Sequence, residues 1–274
     1  MFYRFLIACI LVLGVTFLYS ILIKKDSGEN ISLLSKKGWI LGLFLFGGYL
    51  FQTVGLRYTT PSNAAFITSL SVILVPCVMI FRGNKVTKPV ILSVSLAFIG
   101  LAFLTIDFTN IQVNPGDIII LGTAISIALQ IVLTGEFVKE ESALNLSLTQ
   151  LLSMTVLSFV FAIIFEPTSY RVLTNFSNTV IYAVIFTAIL ATSYAYFVQT
   201  FSQKTINAIV IAIIYTLEPI FALIISLLLQ IENLTIARAI GMTLILLGTF
   251  IAIIQENRQT SIEFENQQSL LKIE

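Results

Sequence analysis

Nine runs of about twenty apolar residues follow one another along the 274-residue chain, each long enough to cross a hydrocarbon core of roughly 30 Å as a helix. They are Phe2–Ile23, Gly38–Leu56, Ser62–Phe81, Pro89–Ile106, Gly116–Val138, Asn145–Phe165, Thr179–Phe201, Asn207–Leu229 and Ala237–Gln255. Every gap between them holds charge, Pro or Gly. A spanning helix satisfies its own backbone hydrogen bonds in lipid. The alternative, a β-barrel, needs ten-residue alternating segments, and nothing here alternates over that length. The expected fold class is therefore an all-α integral membrane protein with about nine transmembrane helices. Charge agrees, because 11% of the residues are charged where a soluble domain carries about 25%.

The same composition narrows the function. A net charge of +1 without a Lys/Arg run points to no nucleic-acid partner. There are no histidines, which removes the commonest general base and metal ligand. Cys9 and Cys77 sit in apolar runs with no C-x-x-C spacing, so no metal site or cofactor is readable and the thiols are packing residues. The first run is too long for a signal-peptide core and is followed by Leu22-Ile23-Lys24-Lys25-Asp26 rather than a small-residue cleavage site. It is read as a retained helix. The polar stretch after Gln255 is read as a short, mobile, solvated tail.

Positive charge sets the expected orientation. The side holding the amino terminus has Arg4, Arg57, Arg171 and Arg238. The other has Lys24, Lys25, Lys36, Lys37, Arg82, Lys85, Lys88, Lys139, Lys204, Arg258 and Lys272. The split of 4 against 11 places the carboxyl terminus in the cytoplasm and the amino terminus outside.

The chain also repeats itself. At an offset of about 147, Tyr49, Gln52-Thr53, Arg57, Ala65 and Ser69-Leu70 match Tyr196, Gln199-Thr200, Lys204, Ala212 and Thr216-Leu217. Gly100 matches Gly248 one residue out of step. Spans two, three and four thus correspond to spans seven, eight and nine. Five helices separate the copies, an odd number, so the second enters the membrane inverted. Inverted repeats are the architecture of many secondary transporters, with the substrate site near the midplane. A duplication kept only for packing is the alternative. Span five has no partner ahead of span one, so the first copy has four helices and the second five. Either the start lies too far downstream, or this is a nine-helix variant.

Gly55–Pro76 reads GLRYTTPSNAAFITSLSVILVP, and Gln203–Leu229 reads QKTINAIVIAIIYTLEPIFALIISLLL. Gly116–Val138 reads GDIIILGTAISIALQIVLTGEFV, and Gly241–Ile251 reads GMTLILLGTFI. Over nearly its whole length, Phe2 to Gln255, the chain resembles the EamA-type exporters of the drug/metabolite transporter superfamily. Tyr-Thr-x-x-x-Asn-Ala-Ala and Leu-Glu-Pro are the most specific parts of the likeness. The resemblance implies ten helices in two inverted five-helix repeats, a central cavity opening alternately to each side, and export of amino acids, other metabolites or drugs without ATP. The expected organisation is a first EamA-like repeat at 1–107 lacking its first helix, a second at 116–255, and a polar cytoplasmic tail at 256–274.

Glu218 is the sharpest candidate, midway along span eight beside Pro219. An acidic residue at a helix centre costs roughly 2.5–3.5 kcal/mol on insertion scales, so it faces a cavity or a partner. It either carries a proton or contacts substrate, or it ties helices together by accepting from backbone that Pro219 frees; the structural role is favoured. Uncharged polar residues at membrane depth complete the candidate cavity: Gln52, its repeat mate Gln199, Asn63, Thr68, Ser71 opposite Glu218, Ser126 and Gln130 one turn apart, Tyr194 and Tyr215. Each also has a plain reading as an interhelical hydrogen bond. Pro76 and Pro219 are hinge candidates. Ser93-x-x-x-Ala97 and Ala237-x-x-x-Gly241 are close-contact faces, internal or dimeric. Asp107, Asp117 and Glu136 lie near span ends and are read as solvated.

The expected function is a secondary transporter exporting a small metabolite, amino acid or drug by alternating access. Its partners are a small-molecule substrate and membrane lipid, with a homodimer allowed. The alternative is a non-transporting membrane component, a sensor or partner subunit. An enzyme is disfavoured, because no base, metal cluster or nucleophile pair is present.

Overall fold

The computed structural model describes residues 2–22, 35–106, 114–165, 178–230 and 233–271. Among these there is no strand. The helices are α1 (Phe2–Leu22), α2 (Lys36–Gly55), α3 (Pro61–Ser69), α4 (Ser71–Phe81), α5 (Lys88–Thr105), α6 (Pro115–Phe137) and α7 (Ala143–Phe165). After them come α8 (Asn178–Ala188), a π-helical segment (Ile189–Tyr194), α9 (Ala195–Ser202), α10 (Ala208–Tyr215), α11 (Glu218–Leu228) and α12 (Ile236–Leu271). Eight helical stretches are long and apolar enough to cross a membrane, and α1 adds a shorter apolar stretch, Phe2–Gly14. Large apolar side chains such as Phe81, Ile118 and Leu228 remain exposed along the spans, a surface suited to lipid rather than water. The chain is a multi-pass α-helical membrane protein.

Two compact units emerge, and each draws on both halves of the sequence. The first comprises residues 1–47 and 133–205. In it α1 packs on α7, α8 and the π-helical segment, and α7 packs on α9. Small residues permit close approach: a Cβ on Gly42 would stand 2.4 Å from the Ser153 Cβ. The Ser153 hydroxyl donates to the Trp39 carbonyl at 3.2 Å.

The second unit comprises residues 48–132 and 206–274. Its core joins Val72 and Val75 of α4, Ala97 and Leu101 of α5, Ile131 of α6, Ile209–Ile213 of α10 and Ile245 of α12. The tightest seam is between α5 and α12. A Cβ on Gly100 would lie 2.7 Å from the Gly241 carbonyl oxygen, and one on Gly248 would lie 2.7 Å from that of Ser93. Ser93 and Ala97 are buried in this seam, so their small-residue face serves internal packing.

Three local features differ from the plain reading of the sequence. First, span three is interrupted at Leu70, between α3 and α4, whereas Pro76 lies buried within α4. The Leu70 amide bonds the Ile67 carbonyl at 3.1 Å, a tightened turn that precedes the proline by six residues. Span eight does break beside its proline, at Thr216–Leu217, and Pro219 is the second residue of α11. Second, the stretch expected as a mobile tail continues α12 as helix to Leu271. Its Glu256 accepts the Asn207 amide at 2.7 Å, answering a donor at the start of α10 that the helix itself leaves unbonded. Third, Asp117 is not simply solvated, as described below. Lys24, Lys25, Asp107, Arg171, Lys272 and Glu274 lie outside the described residues.

Candidate functional site

Spans three and eight carry the repeat into three dimensions. Thr60 caps α3 by accepting the Asn63 amide, and Asn207, at the same offset of 147, caps α10 by accepting that of Ile209. Leu70 and Leu217 are also mates. The Leu74 amide bonds the Leu70 carbonyl at 3.0 Å, and the Phe221 amide bonds that of Leu217 at 3.1 Å. Both spans therefore begin with a side-chain cap and break at the same register.

Glu218 is the first residue of α11 and the midpoint of the span Ala208–Leu228. Its side chain is exposed, and no hydrogen bond or ion pair from a described residue ends on its carboxylate. The favoured expectation of a helix-tying glutamate thus has no bond to rest on. Tyr215, one turn earlier, is 39% exposed. Thr216, between them, donates to the Ile213 carbonyl at 2.6 Å and is spent on the break. An exposed carboxylate there can accept hydrogen bonds from a donor-rich guest.

The other candidates of this unit divide. Asn63 sits at the start of α3 and donates to Asp117 at 3.4 Å. Thr59 also bonds Asp117, and Asp117 accepts the Asn114 amide at 2.8 Å. Asp117 is therefore a cap at the first turn of α6, where a negative side chain is favoured, and Asn63 serves it. Gln52 and Ser71 are half-buried. Ser126 and Gln130 are buried on one face of α6. The buried Thr123 extends that row by one turn, and its hydroxyl has no hydrogen-bond partner among the described residues; the Thr68 hydroxyl is the same. Thr123 is not among the candidates of the sequence, though its three-residue spacing from Ser126 places it on their face.

In the first unit, Gln199 is buried and donates to Gln203 at 3.3 Å, while Tyr194 stands exposed. The unforeseen feature is Arg4. Its Nε donates to the Thr192 hydroxyl at 2.6 Å and its Nη2 to the Ala191 carbonyl at 3.1 Å. These partners lie in the π-helical segment, near the middle of the span Asn178–Ser202. A π-turn loosens the helical ladder. Here Thr192 and Ser193 bond back to the Thr187 and Ala188 carbonyls at 3.0 and 2.8 Å, and Ser193 reaches the Ala8 carbonyl at 3.3 Å. Arg4 is thus held against another helix, and its weight as a loop charge falls away. An arginine at the head of an apolar run was the available signal.

The profile of the EamA-like transporter family matches residues 1–106 and 114–254. The chain belongs to that family, part of the drug/metabolite transporter superfamily. It is 34% identical over 218 residues to an uncharacterized transporter of Archaeoglobus fulgidus, covering 79% of this chain and 68% of that one. It is 28% identical over 221 residues to the uncharacterized transporter YyaM of Bacillus subtilis, covering 78% and 70%. A crystal structure with 16% identity superposes with a TM-score of 0.77, covering 94% of this chain and 87% of the other, and supports the fold. The EamA-like chain is a membrane transporter by family.

Proposed function

We propose that this EamA-like protein is a secondary exporter, moving a small metabolite, amino acid or drug across the cytoplasmic membrane by alternating access. Glu218 carries the reading: an exposed carboxylate at the midpoint of a span, directly after a helix break that recurs in the repeat-related span. Such a charge is tolerated where water reaches it. Broken helices at the midplane are where secondary transporters hold polar substrates. No phosphate-cradling loop is present in the sequence, which favours a gradient or exchange over ATP as the driving force.

Orientation follows from the charges that remain after Arg4 is set aside. Among the described residues, Arg57 and Arg238 lie at span ends on one side. Lys36, Lys37, Arg82, Lys85, Lys88, Lys139, Lys204 and Arg258 lie on the other. The second side, with the carboxyl terminus, is then cytoplasmic.

Sealed vesicles containing the purified protein, preloaded with a mixture of amino acids and drug-like solutes, test the reading. A subset of solutes should leave saturably, without ATP, faster than from protein-free vesicles. Efflux equal to that of empty vesicles for every solute would remove the proposal. A membrane-impermeant amine reagent on intact cells should miss Lys36 and Lys88; modification of both would reverse the orientation.

A further inference from the structure

Span seven changes register halfway along. Its buried or half-buried pairs are Thr187-Ala188, Thr192-Ser193 and Gln199-Thr200, five and then seven residues apart. Seven residues are close to two α-turns, whereas five in an α-helix would leave the second pair about 140° round the axis from the first. The π-helical segment Ile189–Tyr194 covers the five-residue step, and its wider turn keeps the three pairs on one face.

A widened turn leaves backbone carbonyls in need of donors, and side chains supply them here. The Thr192 hydroxyl donates to the Thr187 carbonyl at 3.0 Å, and the Ser193 hydroxyl to that of Ala188 at 2.8 Å. Arg4 of α1 answers the Ala191 carbonyl through Nη2 at 3.1 Å. Its Nε donates to the Thr192 oxygen at 2.6 Å, which leaves the hydroxyl proton for Thr187. In the repeat-related stretch, 42–47 within α2, the mates of Thr192 and Ser193 are Leu45 and Phe46, and the α-helix continues unbroken. The π-turn therefore goes with these side chains and not with the repeat.

What the register sets is the face that α9 presents to α7. Gln150 of α7 donates to the Thr200 hydroxyl at 3.1 Å, and both residues are buried. Closing the π-turn into an α-turn would rotate α9 by one residue step, about 100°, and carry Gln199 into the place of Thr200.

We propose that Arg4 is a positioning residue: by holding the π-turn of span seven, it sets which face of α9 meets α7. The planar guanidinium presents a fixed fork of donors to a hydroxyl and a carbonyl at once, which an ammonium reproduces only in part. Its share in transport rests on the exporter reading; the register does not.

Disulfide cross-linking of the purified full-length protein tests this, in a chain whose own thiols are removed by Cys9→Ala and Cys77→Ala. Gln150→Cys with Thr200→Cys should oxidise faster than Gln150→Cys with Gln199→Cys. Arg4→Ala should lower that rate ratio about tenfold, the loss of charge-assisted hydrogen bonds, and Arg4→Lys should lower it less. A general loosening of the helices would move both rates together and leave the ratio alone. Deleting Leu190, which is 48% exposed, removes the extra residue of the π-turn and sets the pairs four apart, as an α-helix requires. In that chain the ratio should stay native with or without Arg4→Ala. An unmoved ratio in Arg4→Ala, an Arg4→Ala effect that persists after the deletion, or a deletion chain that fails to fold overturns the proposal. If Arg4→Ala itself does not fold, Thr192→Val takes its place and should lower the ratio in the same direction; an unmoved ratio there counts equally against it. Efflux from sealed vesicles separates the two claims. A ratio that follows Arg4 in a protein that moves no solute sinks the transport reading alone, and saturable efflux with an unmoved ratio sinks the positioning role alone.

Discussion

Spans four and nine are repeat mates, and so are spans three and eight, yet the two pairs are built in opposite ways. α5 and α12 run unbroken and meet at glycines, with no room for a Cβ between Gly100 and Gly241. Spans three and eight both break, at Leu70 and at Thr216–Leu217. Span eight carries a charge at its midpoint, Glu218, whereas the seam glycines meet backbone, small residues and aliphatic side chains. The difference separates a frame from a working element. Glycine seams gain close backbone packing, which is what holds helices together where the hydrophobic effect gives no help. Broken helices expose backbone and polar groups at midplane, which only a cavity tolerates. The same repeat thus contains both an unbroken pair and a broken one.

The sharpest way to break this contrast is to crowd the seam. A Cβ on Gly241 would stand 2.6 Å from the Gly100 carbonyl and 2.9 Å from the Leu104 amide. These neighbours are backbone and cannot swing away. Gly241→Leu should destabilise the second unit by about 3 kcal/mol, the upper range for overpacking, and thermal unfolding in detergent measures it. A Cβ on Gly14 would meet nothing within 4 Å, so Gly14→Ala should leave the midpoint unchanged or raised. A native midpoint for Gly241→Leu would mean that the seam is not the frame.

Much of this was legible in the sequence, for physical reasons. Apolar runs of spanning length fix helices because lipid leaves the backbone no other partner, and α2, α5, α6 and α7 begin and end within two residues of the runs that foretold them. Glu218 was legible because charge at that depth is rare. Its isolation was not, since whether a carboxylate meets a donor depends on side chains distant in sequence. Arg4 was misjudged for a related reason. Counting charges by position assumes that a residue near a span end sits in water, and its contact with Thr192 lies 188 residues away. The break at Leu70 had no proline beside it to announce it.

A smaller effect sharpens the likeness within the broken pair. Thr60 and Asn207 each accept one amide at the start of a repeat-related helix. Replacing either with Ala should cost about 1 kcal/mol, and the two costs should agree within about 0.5 kcal/mol if the caps do one job in both copies. Unfolding midpoints of the two variants, measured side by side, decide it. A silent Thr60→Ala with a costly Asn207→Ala would show that the two helix starts have diverged, and that Glu256 behind Asn207 marks a different kind of anchorage.

The smallest effect concerns what makes the breaks. Pro219 has no amide for the Tyr215 carbonyl, which invites the view that proline divides span eight. Its repeat mate at the same offset is Val72, and span three breaks at the same register without it. In both spans the amide at the break turns to a carbonyl three residues back: Leu70 to Ile67 at 3.1 Å, Leu217 to Ile214 at 3.0 Å. The packing shared by the two copies, rather than the ring of proline, then sets the interruption. Pro219→Ala should keep it, with a stability change of under about 1 kcal/mol. Amide exchange at Leu217 reads the outcome directly. If the amide becomes strongly protected, the helix has healed, and the proline was the cause of the break in the second copy alone.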